Sequence, residues 1–267
     1  MTGLARTINL AGTAWKYLLT AAEQPRQFPR TLWMIAKGVN PGHYFKLNAP
    51  WIRQAGIRTV LDIGAHRGEF SSAIRALLPE AQIYAFEPLP DCCAELAKRF
   101  GTNGTLQAFP VAIGASHDRI TLWRSSYPKS SSLLPMAELH KDSFPWSAGN
   151  TPLTVEIRAL DEYLAQLKLA EKVLLKIDVQ GYEAQVLNGA KELLKQVTYV
   201  LLKCLFNLSM KARARLRKFT RSCKAPVFLI QEIWSSSSLP SMDRYCKRMR
   251  FLCGRRSRPA AFVLPGR

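Results

Sequence analysis

Two short apolar runs, each carrying an acid near its end, dominate the hydrophobic pattern: Thr59-Val-Leu-Asp-Ile63 and Lys172-Val-Leu-Leu-Lys-Ile-Asp-Val179. Runs this short, bounded by turn residues, predict strands buried on both faces. Helical periodicity follows each of them, with Phe70, Ile74, Leu77 and Leu78 after the first. Val186, Leu187, Ala190, Leu193 and Leu194 follow the second. Between them, Ala81 to Phe86 alternates as a strand, Asp91 to Phe100 reads as a helix, and Leu106 to Ile113 as a third strand. Ile120–Trp123 and Leu153–Ile157 are strand-like, Asp161 to Leu169 reads as a short helix, and Thr198 to Leu202 as a fifth core strand. Strands alternating with helices predict an α/β domain.

The flanks of this pattern differ from it. Residues 1–48 form a broken helical extension: Trp15, Leu18 and Leu19 make one apolar face and Phe28, Leu32, Trp33 and Ile35 another, interrupted by Pro25, Pro29 and Pro41. A cap on the domain is expected, with a membrane-surface or substrate-lid role as the alternative. The polar stretch Ser125 to Pro152, carrying Ser130-Ser131-Ser132, His140, Trp146 and Asn150, is long for a loop within a domain, which points to acceptor contact or disorder.

Composition narrows the class. At 267 residues with 48% hydrophobic content, the chain has room for one α/β domain with extensions. No apolar run approaches the roughly 18–20 residues of a membrane span, and the apolar centre of the N-terminus is too broken for a signal peptide. A cytoplasmic protein is expected. The six cysteines show no C-x-x-C pair, so reduced thiols and no metal site are expected. The net charge of +19 would suggest a polyanion partner, but sixteen of the Lys/Arg and only two acids lie from Lys203 onward. The charge belongs to the tail.

Candidate chemistry sits at the strand ends. After the first strand, Gly64-Ala65-His66-Arg67-Gly68 turns into a helix, presenting backbone N–H groups at the positive end of a helix dipole. Gly64 and Gly68 are expected to leave room for a ligand against the main chain, and Asp62 to reach the floor of its pocket. Glu87, at the tip of the second strand, is placed to accept two hydrogen bonds from a ribose diol, with Pro88 stiffening its turn. Asp178 lies at the carboxyl end of a strand beside that of Asp62, in the crevice where open α/β sheets bind ligands. Glu183, in the next helical turn, reads as a residue complementing the dipole.

V-L-D-I-G-A-H-R-G (60–68), F-E-P (86–88), the serine run, R-A-L-D (158–161) and L-L-K-I-D-V-Q-G-Y-E (174–183) resemble the FkbM family of S-adenosylmethionine-dependent methyltransferases over about residues 57–202. The resemblance implies a Rossmann-like methyltransferase sheet, mostly parallel, with helices on both faces. It implies O-methylation, often of sugar hydroxyls in glycolipids, polysaccharides or natural products, with S-adenosyl-L-methionine as cofactor. Carried over by position, Asp62, Gly64, Ala65 and Gly68 would surround the cofactor's methionine part, Glu87 and Pro88 its ribose, and Val111 and Ala112 its adenine. Asp178 would face the acceptor hydroxyl as base, with His140 as second candidate. In-line transfer to a well-placed hydroxyl needs positioning and one base. Pro110 stands where a polar residue is expected before Val111, and Ala159 replaces a usual threonine.

Other classes stay open. A nicotinamide-dependent oxidoreductase shares the glycine loop and Glu87 but requires the G-x-G-x-x-G spacing, which Ala65 and His66 break. A non-enzymatic basic protein would bind nucleic acid or acidic lipid through the tail. For an FkbM enzyme no nucleic-acid partner is expected, the acceptor being a hydroxyl-bearing small molecule or glycan.

The tail departs from the family abruptly after Leu202. Read one base out of register with permitted codons, Lys203–Ala212 can spell E-V-S-F-Q-P-L-Y-E-G, and Lys218–Trp234 and Ser241–Gly254 can likewise spell fragments resembling the family's last strands and helix. The expected organisation is therefore a helical extension at 1–48, the methyltransferase domain at 49–202, and a basic out-of-frame tail at 203–267. Such a lesion predicts lost or disrupted terminal strands, an unpaired fifth strand, and poor folding or inactivity.

Overall fold

The computed structural model describes residues 28–47, 50–101, 104–125, 150–204, 227–231 and 250–252. Among the described residues three short helices come first: α1 (Phe28–Ala36), α2 (Pro41–Leu47) and α3 (Pro50–Gln54). Then follow β1 (Thr59–Ile63), α4 (Glu69–Leu77), β2 (Gln82–Phe86), α5 (Pro90–Phe100), β3 (Leu106–Phe109), β4 (Ala112–Gly114), β5 (Asp118–Ser125) and β6 (Asn150–Ala159). The rest comprises β7 (Val173–Ile177), α6 (Glu183–Asn188), β8 (Val197–Cys204), β9 (Val227–Gln231) and β10 (Arg250–Leu252).

The main sheet runs β10-β9-β8-β7-β1-β2-β3. Pairings from β3 through β9 are parallel and β10 is antiparallel to β9. Because β1 lies between β2 and β7, the chain winds outward in one direction to β3 and later in the other to β8. Their junction is the switch point at which such sheets open a crevice.

Period-two alternation sorts the buried strands between two layers. Leu61 and Ile63 join Leu175, Ile177, Val186, Leu187 and Leu193 on one face. Val60, Leu174 and Leu201 face α1 to α4 through Met34, Tyr44, Leu47, Ile52, Ala73 and Ile74. Near the carboxyl end of β2, Phe86 stacks on Phe109 at 4.7 Å and Tyr163 meets both edge-on at 5.2 Å. Such pairs add about 0.5–1.5 kcal/mol each beyond area burial.

Several expectations need correction. Leu153–Ile157 and Ile120–Trp123 are strands, but they pair antiparallel with each other in a separate three-stranded sheet, β4-β6-β5. Asp161 to Leu169 is not an α-helix: a 3-10 turn at Leu160–Tyr163 replaces it. The carboxylate of Asp161 instead accepts the N–H groups of Glu192 and Leu193, at 3.0 and 2.8 Å. The helix after β7 stops at Asn188, because Gly189 seats its backbone on the carbonyl of Gly114, where a Cβ would collide. At the other edge β8 is not left unpaired, since β9 runs alongside it from Val200↔Val227 to Cys204↔Gln231. The V-F-L-I-Q sequence of β9 has the β-branched and aromatic content a parallel strand needs. In α1, Met34 and Thr31 are buried while Leu32, Trp33 and Ile35 are exposed. Trp15, Leu18, Leu19, the serine run, His140 and Trp146 lie outside the described residues.

Candidate active site

The loops after β1 and β7 leave the sheet side by side. Register pairs Asp62 with Lys176 and Ile63 with Ile177, and the N–H of Asp178 donates to the carbonyl of Ile63 at 3.1 Å. Gly64 has φ +74°, and a Cβ there would strike the carbonyl oxygen of Asp178. Gly68 has φ +80°, and its missing Cβ leaves space for Leu96 Cδ2 at 2.6 Å. These glycines therefore serve close packing between the β1 and β7 loops and against α5.

The loop's donors are also engaged. The N–H groups of Gly64 and Ala65 donate to the carbonyl of Phe86 at 3.0 and 3.1 Å. The N–H of His66 donates to Glu87 Oε2 at 2.7 Å. Ala65 is buried against Ala85 and Leu96. These bonds consume the donors that a dinucleotide pyrophosphate would require. The oxidoreductase alternative loses its structural support.

Asp62 is fully buried and both of its oxygens have partners. Oδ2 accepts the Ser71 hydroxyl at 2.7 Å and Oδ1 pairs with Lys176 Nζ at 2.7 Å. Lys176 Nζ also donates to the carbonyls of Gly64, at 2.9 Å, and Ile63, at 3.4 Å. It lies 5.4 Å from the centre of the Phe70 ring. Asp62 thus holds the loop through Lys176 and Ser71. Lys176 was legible as an anomaly: a lysine inside an apolar buried strand must find an acceptor, and the register supplies Asp62.

Glu87 is 5% exposed. Oε1 accepts the N–H of Leu89 at 3.0 Å, opposite the His66 bond on Oε2. Burial raises its pKa, opposed by those two N–H bonds and by the charges of His66 and Lys176. Pro88, half-buried, spans the turn between Glu87 and Leu89. Phe109 contributes its carbonyl to the N–H groups of both Glu87 and Val111, at 3.0 and 2.9 Å. Val111 and Ala112 are therefore brought beside Glu87, both buried.

His66 has φ 51°. Burial lowers its pKa, but the neighbouring Cys92 and Glu69 side chains outweigh this and lift it to about 9. Its Nδ1 is 3.4 Å from Glu69 Oε2.

Just past the end of β7, Asp178 is half-buried. Its Oδ1 accepts the Gln180 side-chain amide at 3.0 Å. The turn that aims it runs through left-handed backbone at Gln180, φ 54°, and Gly181, φ 102°. Glu183 is buried and takes the N–H of Gly181 at 3.0 Å. Burial raises its pKa, as does the neighbouring charge of Asp178, while bonds from loop N–H groups oppose the rise. It braces the turn as well as complementing a dipole.

The β5–β6 hairpin reaches the same end of the sheet, because Arg124 Nη2 pairs with Asp91 Oδ2, in the first turn of α5, at 2.7 Å. The segment carrying His140 leaves the described residues from there. Among the described residues no cluster of His, Cys, Asp and Glu could hold a metal ion.

The sequence model of the methyltransferase FkbM domain matches residues 62–235. Among curated proteins, the chain is 29% identical over 147 residues to 2-O-methyltransferase NoeI of Sinorhizobium fredii, covering 53% of this chain and 60% of that protein. It is 28% identical over 156 residues to methyltransferase sdnD of Sordaria araneosa, covering 50% of this chain and 60% of that protein. The chain therefore spans about 60% of the length of each of these relatives.

Proposed function

The chain belongs to the FkbM methyltransferase family, and from that premise we propose that it is an S-adenosylmethionine-dependent O-methyltransferase. Its acceptor is a hydroxyl of a sugar or other glycolipid, polysaccharide or natural product, and its place of work is the cytoplasm. One relative is named a 2-O-methyltransferase, which supports oxygen as the methylated atom. No helix among the described residues is long and apolar enough to cross a membrane.

The observation that carries the reading is the seam between Gly64 and Asp178, with the Glu87 carboxylate at the neighbouring strand end. The donor set fits the cofactor. Each Glu87 oxygen accepts one main-chain N–H and keeps acceptor capacity for a ribose hydroxyl. Val111 and Ala112 offer apolar contact for adenine, and the main chain at Gly64, Ala65 and Gly68 is the proposed seat of the methionine part. S-adenosylmethionine, when bound, supplies an electrophilic methyl group on a sulfonium centre. The chain's own work is to orient the acceptor and take its hydroxyl proton at Asp178, aimed by Gln180. His140 is kept as a second candidate.

S-adenosylhomocysteine should bind in a calorimetric titration where NAD does not. Asp178→Asn should then lower turnover by about 10²–10⁴-fold while leaving that affinity nearly unchanged. Wild-type turnover in this variant would remove Asp178 as the base.

We further propose that residues 203–267 are read out of frame. The abrupt charge change at Lys203 and the three family-like fragments in one shifted register support this. The family match running on to residue 235 and the pairing of β9 with β8 weigh against it. Sequencing codons 195–267 from an independent template decides. An open shifted frame spelling the fragments establishes the lesion and makes the restored protein the one to assay. Codons that forbid it make the basic tail genuine, and a cooperative melt with methyl transfer by the 267-residue chain would overturn the expectation of poor folding or inactivity.

A further inference from the structure

The charge of this chain is divided three ways rather than two. Residues 1–58 hold eight Lys/Arg and a single acid, Glu23, whereas residues 59–202 hold fourteen bases and sixteen acids. The N-terminal region is therefore strongly basic in its own right, independently of the tail.

Its first described helix has an unusual outer face. In α1, Thr31 and Met34 turn inward, to 8% and 0% exposure, while Leu32, Trp33 and Ile35 remain 48%, 51% and 43% exposed. These three are the large hydrophobics left exposed among the described residues. Ala36 and Lys37 continue the exposed surface. A helix that is apolar on both its core side and its solvent side needs a second contact. The inner side is fixed: Met34 packs in the layer with Tyr44, Leu47, Ile52, Phe70 and Ile74. The outer side is thus presented by an anchored helix.

We infer that this face, Leu32, Trp33 and Ile35, seats the protein on an anionic phospholipid surface. Charge selects that occupant. A second copy of the chain would bring two regions of the same positive sign together, which opposes association. Acidic headgroups instead complement the excess of bases. Tryptophan and aliphatic side chains beside lysine form the composition that lies in the headgroup boundary of a bilayer. At nine residues α1 is far too short to span one, so it lies on the surface. An acceptor carried on a lipid would then be met at the membrane plane.

The test uses the full chain and sedimentation with vesicles of phosphatidylcholine alone or mixed with phosphatidylglycerol. Binding to the anionic vesicles, weakened by salt, is expected, with Leu32→Glu/Trp33→Glu binding at least about tenfold more weakly. Because both positions are exposed, the double variant should keep its melting temperature. Unchanged binding by it would assign the attraction to the basic tail and overturn the inference, as would no binding at all. A second readout does not depend on a disruptive change. Brominated lipid should quench wild-type fluorescence more than that of Trp33→Phe, and equal quenching would place Trp33 outside the bilayer. Trp33 that is shielded from acrylamide without lipid, and becomes accessible when residues 1–27 are deleted, would show that the chain covers its own face. That result also overturns the inference.

Discussion

The loops after β1 and β7 are neighbours built on opposite plans. In the first, Asp62 is sealed by Ser71 and Lys176, Gly64 and Gly68 are filled around by Asp178 and Leu96, and three successive N–H groups are tied to Phe86 and Glu87. In the second, a half-buried carboxylate stands at the strand end, held by one amide and by two residues of left-handed backbone. Rigidity is concentrated on the proposed cofactor side and open chemistry on the proposed acceptor side. A methyltransferase gains from this division, because the cofactor is constant while the acceptor's hydroxyl must be met by a group with room to accept a proton.

The largest effect should come from the contact between the two loops. Gly64→Ala should cost more than about 4 kcal/mol or prevent folding, since it adds a backbone collision to a positive φ. Gly38→Ala is the control. Its φ is +68° with no atom within 4 Å of the added Cβ, so chemical denaturation should register only about 1 kcal/mol. Equal losses would mean that backbone conformation, and not the seam, sets the cost.

Lys176→Met comes next, leaving Asp62 buried without its cation. A loss of about 3–5 kcal/mol is expected, most of it recovered when Asp62→Leu is added. If the double variant is no better than the single, Lys176 acts through the carbonyls of Ile63 and Gly64 instead. Urea denaturation of the three proteins distinguishes the cases.

A smaller effect belongs to Glu87. Glu87→Gln should weaken S-adenosylhomocysteine binding about tenfold, roughly one lost charge-assisted hydrogen bond. In the wild type the affinity should fall with decreasing pH, because the ionised form is the better acceptor. Burial raises this pKa, so the fall should begin above the ordinary glutamate range, and the Gln variant should show no such limb. Calorimetry across pH reads both.

The smallest is the titration of His66. A folded-state value of about 9, above its ordinary 6.5, means its contribution to stability is complete below 6.5 and is lost as pH rises through about 9. After screening, about 1–2 kcal/mol should disappear across that interval, and His66→Gln should flatten the slope in pH-dependent melts.

Much of the fold was legible in the chain because its signals are local. The apolar runs of β1 and β7, the alternation of β2, and the glycine turn and helix after β1 each declare themselves within a few residues. Glu87 and Asp178 were found as strand-end acids for the same reason. What sequence reading missed is pairing across distance. Nothing near Lys176 names Asp62 as its partner, and nothing near Asp161 shows that its carboxylate is engaged by Glu192 and Leu193 and will not cap a helix of its own. Nor does anything near Ile120 show that it will pair with Val155 in a second sheet. Hydrophobic periodicity fixes which side of an element is buried, but the partner across a buried contact is chosen by register and topology. The elements and their acids were thus settled residue by residue. Which acid is buried against a cation, as Asp62 is, and which stays half-buried, as Asp178 does, was decided only when β7 came to lie beside β1.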